Sequence, residues 1–236
     1  MLFGQDHADI YDLVYQGRGK DYAQEADDLA RLIKERRPDA ASLLDVACGT
    51  GEHLASLRKW FERVEGVELA EAMVTAAQAK LKDVTVTQAD MRDFQLGRTF
   101  DVVTCLYSSI AYLDEAGLSR AVAAMTAHLA PGGLLVIEPW WRPEKAIDNR
   151  GTSDILNGEN VTVARVSHGV IRDGAHHLQC QFLVADADGI RHFTDTQVLS
   201  LFSVETYLAA MRDTGLTAEF MEGGPSGRGL YVGAKN

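Results

Sequence analysis

The chain has 236 residues, 46% of them hydrophobic, with a formal net charge of −11. That length suits one α/β domain with a modest insertion, the composition is that of a folded chain, and no apolar run reaches the length of a bilayer span. A protein that grips a phosphate backbone needs a basic face, so the acidic balance argues against a nucleic-acid partner, while a few local arginines can still hold a small anionic substrate.

In chain order, about Asp6–Tyr15 reads as a short helix broken by Gly17–Gly19, and Lys20–Arg36 as a helix with apolar spacing at Ala23, Ala26, Leu29, Leu32 and Ile33, ended by Pro38. Strands and helices then alternate: strand Ser42–Val46, helix His53–Phe61, strand Arg63–Glu68, helix Glu71–Lys80, strand Val84–Gln88, strand Phe100–Leu106, helix Ala116–Leu129 and strand Leu134–Glu138. This rhythm predicts an α/β fold, a Rossmann-like doubly wound and mostly parallel sheet. From about Val161 to Ser200 there is no good helix. Val161–Val166, His177–Val184 and His192–Leu201 alternate like antiparallel strands joined by turns such as Ala187–Gly189. Val204–Thr214 returns to helix, and Ala218–Glu222 and Leu230–Ala234 to strand. We therefore expect a single domain, 1–236, with a small antiparallel insertion after the fifth strand, 155–201, roofing the carboxyl edge where open α/β sheets bind ligands. Cys48, Cys105 and Cys180 are odd in number and far apart, and MLFGQDHADI carries no basic region followed by an apolar stretch. The expectation is a cytoplasmic protein with reduced thiols, no disulfide and no metal site.

The chemistry starts at Leu43–Gly51, LLDVACGTG, a strand running into a glycine turn that lets the backbone approach a ligand closely. Asp45 lies inside that strand, where a carboxylate is costly without partners; it is placed to organise the turn amides or to accept from a cationic ligand tail. Glu68 closes the next strand about twenty residues on, where a carboxylate can accept both ribose hydroxyls. Asp90–Met91 after the third strand suits an adenine amino group and face. A dinucleotide site would read G-x-G-x-x-G and place a pyrophosphate on the helix start, but here that helix opens with Glu52, which repels phosphate. S-adenosylmethionine has no phosphate, and the turn favours it over NAD.

These features, with the later Gly132–Gly133 turn and its strand, resemble class I S-adenosylmethionine-dependent methyltransferases from Leu43 to Glu138. A narrower resemblance covers nearly the whole chain: IYDLVYQGRGKDY (Ile10–Tyr22), SLLDVACGTG (Ser42–Gly51), DMRDFQLGR (Asp90–Arg98), CLYSSIAYL (Cys105–Leu113), EPWW (Glu138–Trp141), RVSHG (Arg165–Gly169) and EGGPSGRGLYVG (Glu222–Gly233) are similar to the TDP-aminosugar N,N-dimethyltransferases of macrolide antibiotic pathways. The resemblance implies donor contacts at Tyr15, Tyr22, Asp45, Ala47, Gly49, Gly51, Glu68, Leu69, Asp90 and Met91, and acceptor contacts at Ser108, Trp140, Trp141, Arg165, Ser167 and Arg228. It implies a TDP-sugar as partner; a homodimer is left open.

Methyl transfer from a sulfonium is an in-line displacement that needs a neutral nitrogen held in alignment, so positioning should supply most of the rate. Tyr112, past the fourth strand, and Glu138, ending the fifth, are the candidate catalytic residues, to orient the amine or take its proton. Trp140 and Trp141 can wall a sugar or stack on thymine. Arg228, in the glycine-rich GGPSGRG turn, can clamp a pyrophosphate bidentately. Arg165 taken alone reads first as a solvated surface cation, and His168 as a structural or exposed histidine. Tyr11, Tyr15 and Tyr22 belong to an N-terminal segment expected to fold over the donor as a lid, with Gly17 and Gly19 as flexible points. The chain departs from the family's pattern at Arg142, where an aromatic is expected, at Phe3, where some relatives carry a tyrosine, and loosely over Glu144–Gly158. Two other readings stay open at this point: a small-molecule N- or O-methyltransferase of another pathway, and a donor-binding protein without catalysis.

Overall fold

The computed structural model describes residues 4–236, so Phe3 lies outside the described residues. Two helices come first, α1 (Gln5–Gly17) and α2 (Tyr22–Arg36). Asp21 caps α2 by accepting the Gln24 amide at 3.0 Å, and Ala26, Leu29, Ala30 and Ile33 give it one buried face. There follow β1 (Ser42–Val46), α3 (Glu52–Leu57), β2 (Arg63–Glu68), α4 (Glu71–Lys80), β3 (Thr85–Gln88), β4 (Phe100–Cys105), a short 3-10 helix over Ser109–Tyr112, α5 (Glu115–Ala127) and β5 (Leu129–Ile137). Four long strands come next, β6 (Arg150–Asn157), β7 (Thr162–Arg172), β8 (Ala175–Asp186) and β9 (Gly189–Ser200), then α6 (Val204–Asp213), β10 (Leu216–Met221) and β11 (Leu230–Lys235).

The main sheet runs β10-β11-β5-β4-β1-β2-β3. The strands β1 to β5 are parallel to their neighbours, and β11 and β10 close the edge antiparallel. Strands β1 and β4 lie side by side at the centre, where the chain order reverses, and a ligand crevice opens at their carboxyl ends. Strand β1 is central because Leu43, Leu44, Asp45 and Val46 all bury, so both faces are covered. One core packs α2, α3 and α4 on one face of the sheet, the other α5 and α6 on the opposite face.

The second sheet is antiparallel, in the order β6-β7-β8-β9. Its inner face buries Leu156, Val163, Phe182 and Val184 against Ile10 and Val14 of α1, which makes α1 part of the roof. Toward the main sheet, Tyr15 of α1 packs on Tyr107, and the helix is tied to α3, α4 and the glycine turn by polar side chains: Thr50 donates to Asp12 at 2.6 Å, Lys80 to Asp12 at 2.8 Å and to Glu52, and Gln16 to Glu52 at 3.3 Å. The sequence led us to expect three strands here. The fourth, β6 (RGTSDILN), is an edge strand with few apolar residues, because Thr152 and Asp154 face Arg165 rather than a core. The helix expected to reach Phe61 ends at Leu57, and the sequence showed no sign of the 3-10 helix. No described helix is long and apolar enough to cross a membrane.

Candidate active site

The turn after β1 is built from left-handed residues, Ala47 (φ 59°), Gly49 (φ 57°) and Gly51 (φ 81°). The two glycines do different work. A Cβ on Gly49 would meet nothing within 4 Å, so that turn opens into a cavity. A Cβ on Gly51 would lie 2.8 Å from Leu81 Cδ1, so Gly51 lets α3 pack against the end of α4 and lines neither of the cavities described below. Glu68 organises this turn. One of its oxygens accepts the Gly49 amide at 3.0 Å, the other the Ala70 amide at 2.9 Å. Glu68 also lines the crevice.

A cavity of ≈ 230 Å³ runs from Ala47 and Glu68 past Leu69, Asp90 and Met91 to Ser109 and Tyr112. Leu69 is 56% exposed, an apolar surface offered at the mouth. Asp90 is held by a neighbour that the sequence reading missed: Arg92 donates its backbone amide and its guanidinium to it, which holds the carboxyl below the usual range. Glu52, at the start of α3, is neutralised by Lys80. The donor set is thus carboxylates, apolar faces and open backbone, and the cation beside the helix start, Lys80, is already paired with Glu52 and Asp12. It fits a nucleoside bearing a sulfonium and does not fit a pyrophosphate.

Asp45 plays another part than the one expected. It is 1% exposed, lies beneath the turn, and accepts from Thr104 Oγ at 2.7 Å rather than from the turn amides. Burial pushes its carboxyl up to about 6. The sign follows: above pH 6 the folded state carries a buried charge that the unfolded chain would hydrate, a cost of about 3 kcal/mol that fades as pH falls toward 4. Asp45→Asn should therefore raise the melting temperature at pH 8 and leave it unchanged near pH 4, as read by calorimetry. Tyr22 is also buried beside the turn, edge-on to His53 at 4.9 Å, and its hydroxyl has no hydrogen-bond partner among the described residues.

A larger cavity, ≈ 330 Å³, opens between the main sheet, α1 and the inserted sheet. It shares Ala47, Glu68, Ser109 and Tyr112 with the donor cavity, so Tyr112 stands where the two meet. Its floor is a strained turn: Tyr107 (φ 50°) and Ser108 (φ 67°) are consecutive non-glycine left-handed residues. Glu138 holds that turn. It is 1% exposed and sits behind the cavity wall, accepting the Tyr107 amide at 2.8 Å and the Ser226 hydroxyl, with Arg228 Nη2 3.6 Å away. Ser108 donates to the Pro139 carbonyl at 2.8 Å.

Arg228 lies in an aromatic cage, its guanidinium 4.9 Å from the Trp140 ring, 5.5 Å from Tyr107 and 5.9 Å from Trp141, with Nε donating to Ser226 at 2.8 Å. On the roof, Arg165 reaches Asp154 at 3.3 Å and Cys180 Sγ at 3.3 Å, and Ser167 shares a 2.7 Å hydrogen bond with Thr152. His168 faces the other way, at 2.9 Å from Asn149. Tyr15 joins the wall, edge-on to Tyr107 at 5.1 Å, and burial pushes its hydroxyl up to about 12. The structure thus gathers Ser108, Trp140, Trp141, Arg165, Ser167 and Arg228 around one cavity and sets Glu138 behind it. Sequence reasoning missed Tyr107 and His7, which also line it. Tyr107 stood inside the CLYSSIAYL stretch, and His7 shares a helix face with Tyr11 four residues on, the one signal that could have found it.

A mostly parallel seven-stranded sheet with a nucleoside site at its switch point is the architecture of an S-adenosylmethionine-dependent methyltransferase, and S-adenosylmethionine is the cofactor. The methyltransferase domain family matches residues 43–133. The chain is 50% identical over 234 residues, 98% of this chain and 99% of the relative, to the dTDP-3-amino-3,4,6-trideoxy-alpha-D-glucopyranose N,N-dimethyltransferase of Streptomyces venezuelae. It is 44% identical over 236 residues, 100% of this chain and 95% of the relative, to the dTDP-4-amino-2,3,4,6-tetradeoxy-D-glucose N,N-dimethyltransferase of Saccharopolyspora spinosa. The crystal structure of Streptomyces venezuelae DesVI superposes with a TM-score of 0.94 at 50% identity, covering 99% of this chain and 100% of that one. S-adenosylmethionine-bound CalS10, an amino pentose methyltransferase from Micromonospora echinaspora, superposes with a TM-score of 0.88 at 45% identity, covering 100% and 99%. The chain belongs to the family of dTDP-aminosugar N,N-dimethyltransferases.

Proposed function

We propose that the protein transfers two methyl groups in succession to the amino group of a dTDP-linked amino-deoxysugar in antibiotic biosynthesis. The observation that carries this reading is the acceptor end of the cavity, where a caged Arg228 flanked by Trp140, Trp141 and Tyr107 supplies a cation and flat apolar walls, the chemistry that a nucleoside diphosphate sugar requires. The names of the relatives support the same substrate class. Bound S-adenosylmethionine supplies the electrophilic methyl group. The residues of the chain do the rest by position: Glu68, Leu69, Asp90 and Met91 hold the nucleoside, and Tyr112 orients the amine at the junction of the cavities. Arg228 holds the pyrophosphate, with Trp140 and Trp141 against the sugar or the base.

Incubation with S-adenosylmethionine and a dTDP-3-amino-3,6-dideoxyhexose should give the dimethylated sugar nucleotide by mass spectrometry, by way of the monomethylated one. No product from any dTDP-aminosugar, with methylation of a free amine or phenol instead, would overturn the substrate; donor binding without any methyl transfer would overturn catalysis. Arg228→Ala should raise the acceptor's KM about 10- to 100-fold, from a lost charge-assisted pair of ~1.5–3 kcal/mol, and leave donor affinity unchanged. An unchanged KM would remove Arg228 from the acceptor site.

The same reading places the protein in the cytoplasm, where its three buried cysteines stay free, with no nucleic-acid or membrane partner. It also includes a homodimer. The outward residues of the inserted sheet include Ile155, Val166, Leu183, Ile190 and Val198, all exposed, and Arg172 at the end of β7 is their only Asp, Glu, Lys or Arg. On a chain of charge −11, an uncharged face is where a second copy can approach, and four strands of this length offer roughly 700 Å² a side, near what a standard interface buries. Val166→Asp should convert a dimer to a monomer in light scattering after gel filtration; a monomeric wild-type protein would refute the dimer.

A further inference from the structure

Transfer to nitrogen requires that the amine be neutral. A sugar amine enters the site as an ammonium, and each transfer leaves a new ammonium behind, so a dimethylating site has to remove protons repeatedly from a closed cavity. The groups that wall that cavity are mostly unsuited to it. Glu138 lies behind the wall with Tyr107, Ser226 and Arg228 on its oxygens. Glu68 holds two backbone amides at the donor end. Tyr11, Tyr15, Tyr107 and Tyr112 are all pushed up by burial, which keeps their hydroxyls protonated. His176 accepts the Trp140 indole N–H on Nδ1 at 3.3 Å, which puts its own proton on Nε2 and leaves no acceptor nitrogen.

We propose that His7, paired with Asp195, is the proton acceptor for the substrate amine, an inference that rests on the aminosugar reading above. His7 is on α1, 5% exposed, and lines the acceptor cavity. Its Nδ1 is 3.6 Å from Asp195 Oδ2, and its ring packs between Tyr11 at 5.7 Å and Phe182 at 5.5 Å. Asp195 is on β9, fixed by Gln197 Nε2 at 2.6 Å, and β9 packs against the 3-10 helix that ends at Tyr112. The pair therefore joins α1 to β9 next to the 3-10 helix that ends at Tyr112. The groups that face His7 include Asp195 on β9, Arg165 on β7 and Tyr11 on its own helix; Tyr11 is held neutral by burial. Burial, with Arg165, pulls His7 below its ordinary value against the opposing pull of Asp195, so the ring is neutral at working pH, and the carboxylate stabilises the imidazolium once it forms.

The balance closes at each transfer. The ammonium N–H bond breaks and the proton goes to the imidazole nitrogen. The freed lone pair forms the new N–C bond as the S–C bond breaks with its electrons staying on sulfur. The imidazolium gives its proton to water after the first transfer, and the secondary ammonium then gives up its own proton by the same route before the second.

The test is the pH profile of kcat for the wild-type enzyme, His7→Gln and Asp195→Asn on a dTDP-aminosugar, with donor binding measured by calorimetry as the check on folding. The wild-type rate should be flat from pH 7 upward. His7→Gln should lose about 100-fold at pH 7, recover most of it by about pH 10 where the amine is neutral unaided, and keep its KM and donor affinity. Asp195→Asn should move the acid limb of the profile to lower pH. A His7→Gln enzyme with the wild-type profile, or one slowed equally at every pH, would overturn the role of His7. A wild-type protein inactive on every dTDP-aminosugar would instead overturn the functional reading beneath it.

Discussion

Glu68→Gln should weaken S-adenosylhomocysteine binding by at least ~100-fold in isothermal titration calorimetry while the protein stays folded. Each oxygen of Glu68 already accepts one amide, from Gly49 and from Ala70, so the carboxylate fixes the shape of the glycine turn while it lines the crevice. A glutamine turns one oxygen into a donor. That donor faces either the Gly49 or the Ala70 amide and cannot accept from a ribose hydroxyl. Two charge-assisted hydrogen bonds are lost, at ~1.5–3 kcal/mol each, which corresponds to ~10²- to 10⁴-fold in affinity. A change below tenfold would mean that Glu68 shapes the turn without touching the nucleoside. The contrast with Asp45→Asn is informative, since that neighbouring carboxylate makes no contact with the turn amides.

The second large effect is expected at Glu138. Glu138→Ala should cost ~3–5 kcal/mol in chemical denaturation and raise the acceptor's KM, because a fully buried carboxylate disappears from between three donors. The Tyr107 amide would be left buried without its acceptor, the strained Tyr107–Ser108 turn would lose its clamp, and the loop carrying Ser226 and Arg228 would come free. Glu138→Gln keeps an acceptor for the amide and should lose less than half as much. A loss under 1 kcal/mol for the alanine variant would show that the turn and the loop hold themselves. In this geometry Glu138 positions the two walls of the acceptor site rather than meeting the amine, a different part from the proton acceptor that its place at the end of the fifth strand suggested.

The donor half of the molecule was legible because its signals are local. Strands alternate with helices over most of β1 to β5, Leu43–Gly51 is a backbone shape written in glycines, and Glu68 follows at the spacing a ribose requires. The acceptor half depends on contacts between residues far apart in sequence. Nothing in Arg150–Asn157 marks a strand, since it pairs with β7 along one edge only and points polar groups inward. Nor could periodicity show that two non-glycine residues, Tyr107 and Ser108, would be forced left-handed by a carboxylate 31 residues later in the chain. Asp45 and Glu68 look alike as buried strand carboxylates. Only the register of β1 and β2 shows that one sits beneath the turn and the other at its lip. Asp90 was legible as an acid at the end of the third strand; that Arg92, two residues away, folds back on it was not.

Helix α1 has two unlike attachments. On the roof side it is buried in a shared apolar core through Ile10 and Val14; on the donor side it is tied by the hydrogen bonds and ion pairs of Asp12 and Gln16 to Thr50, Lys80 and Glu52. Water can take over the polar ties far more cheaply than it can fill the apolar ones. A seam that parts along the polar side would let the demethylated donor exchange while the roof still covers the half-finished sugar. Such a hinge makes the second methylation a continuation of the first encounter, so that the enzyme would release little singly methylated product.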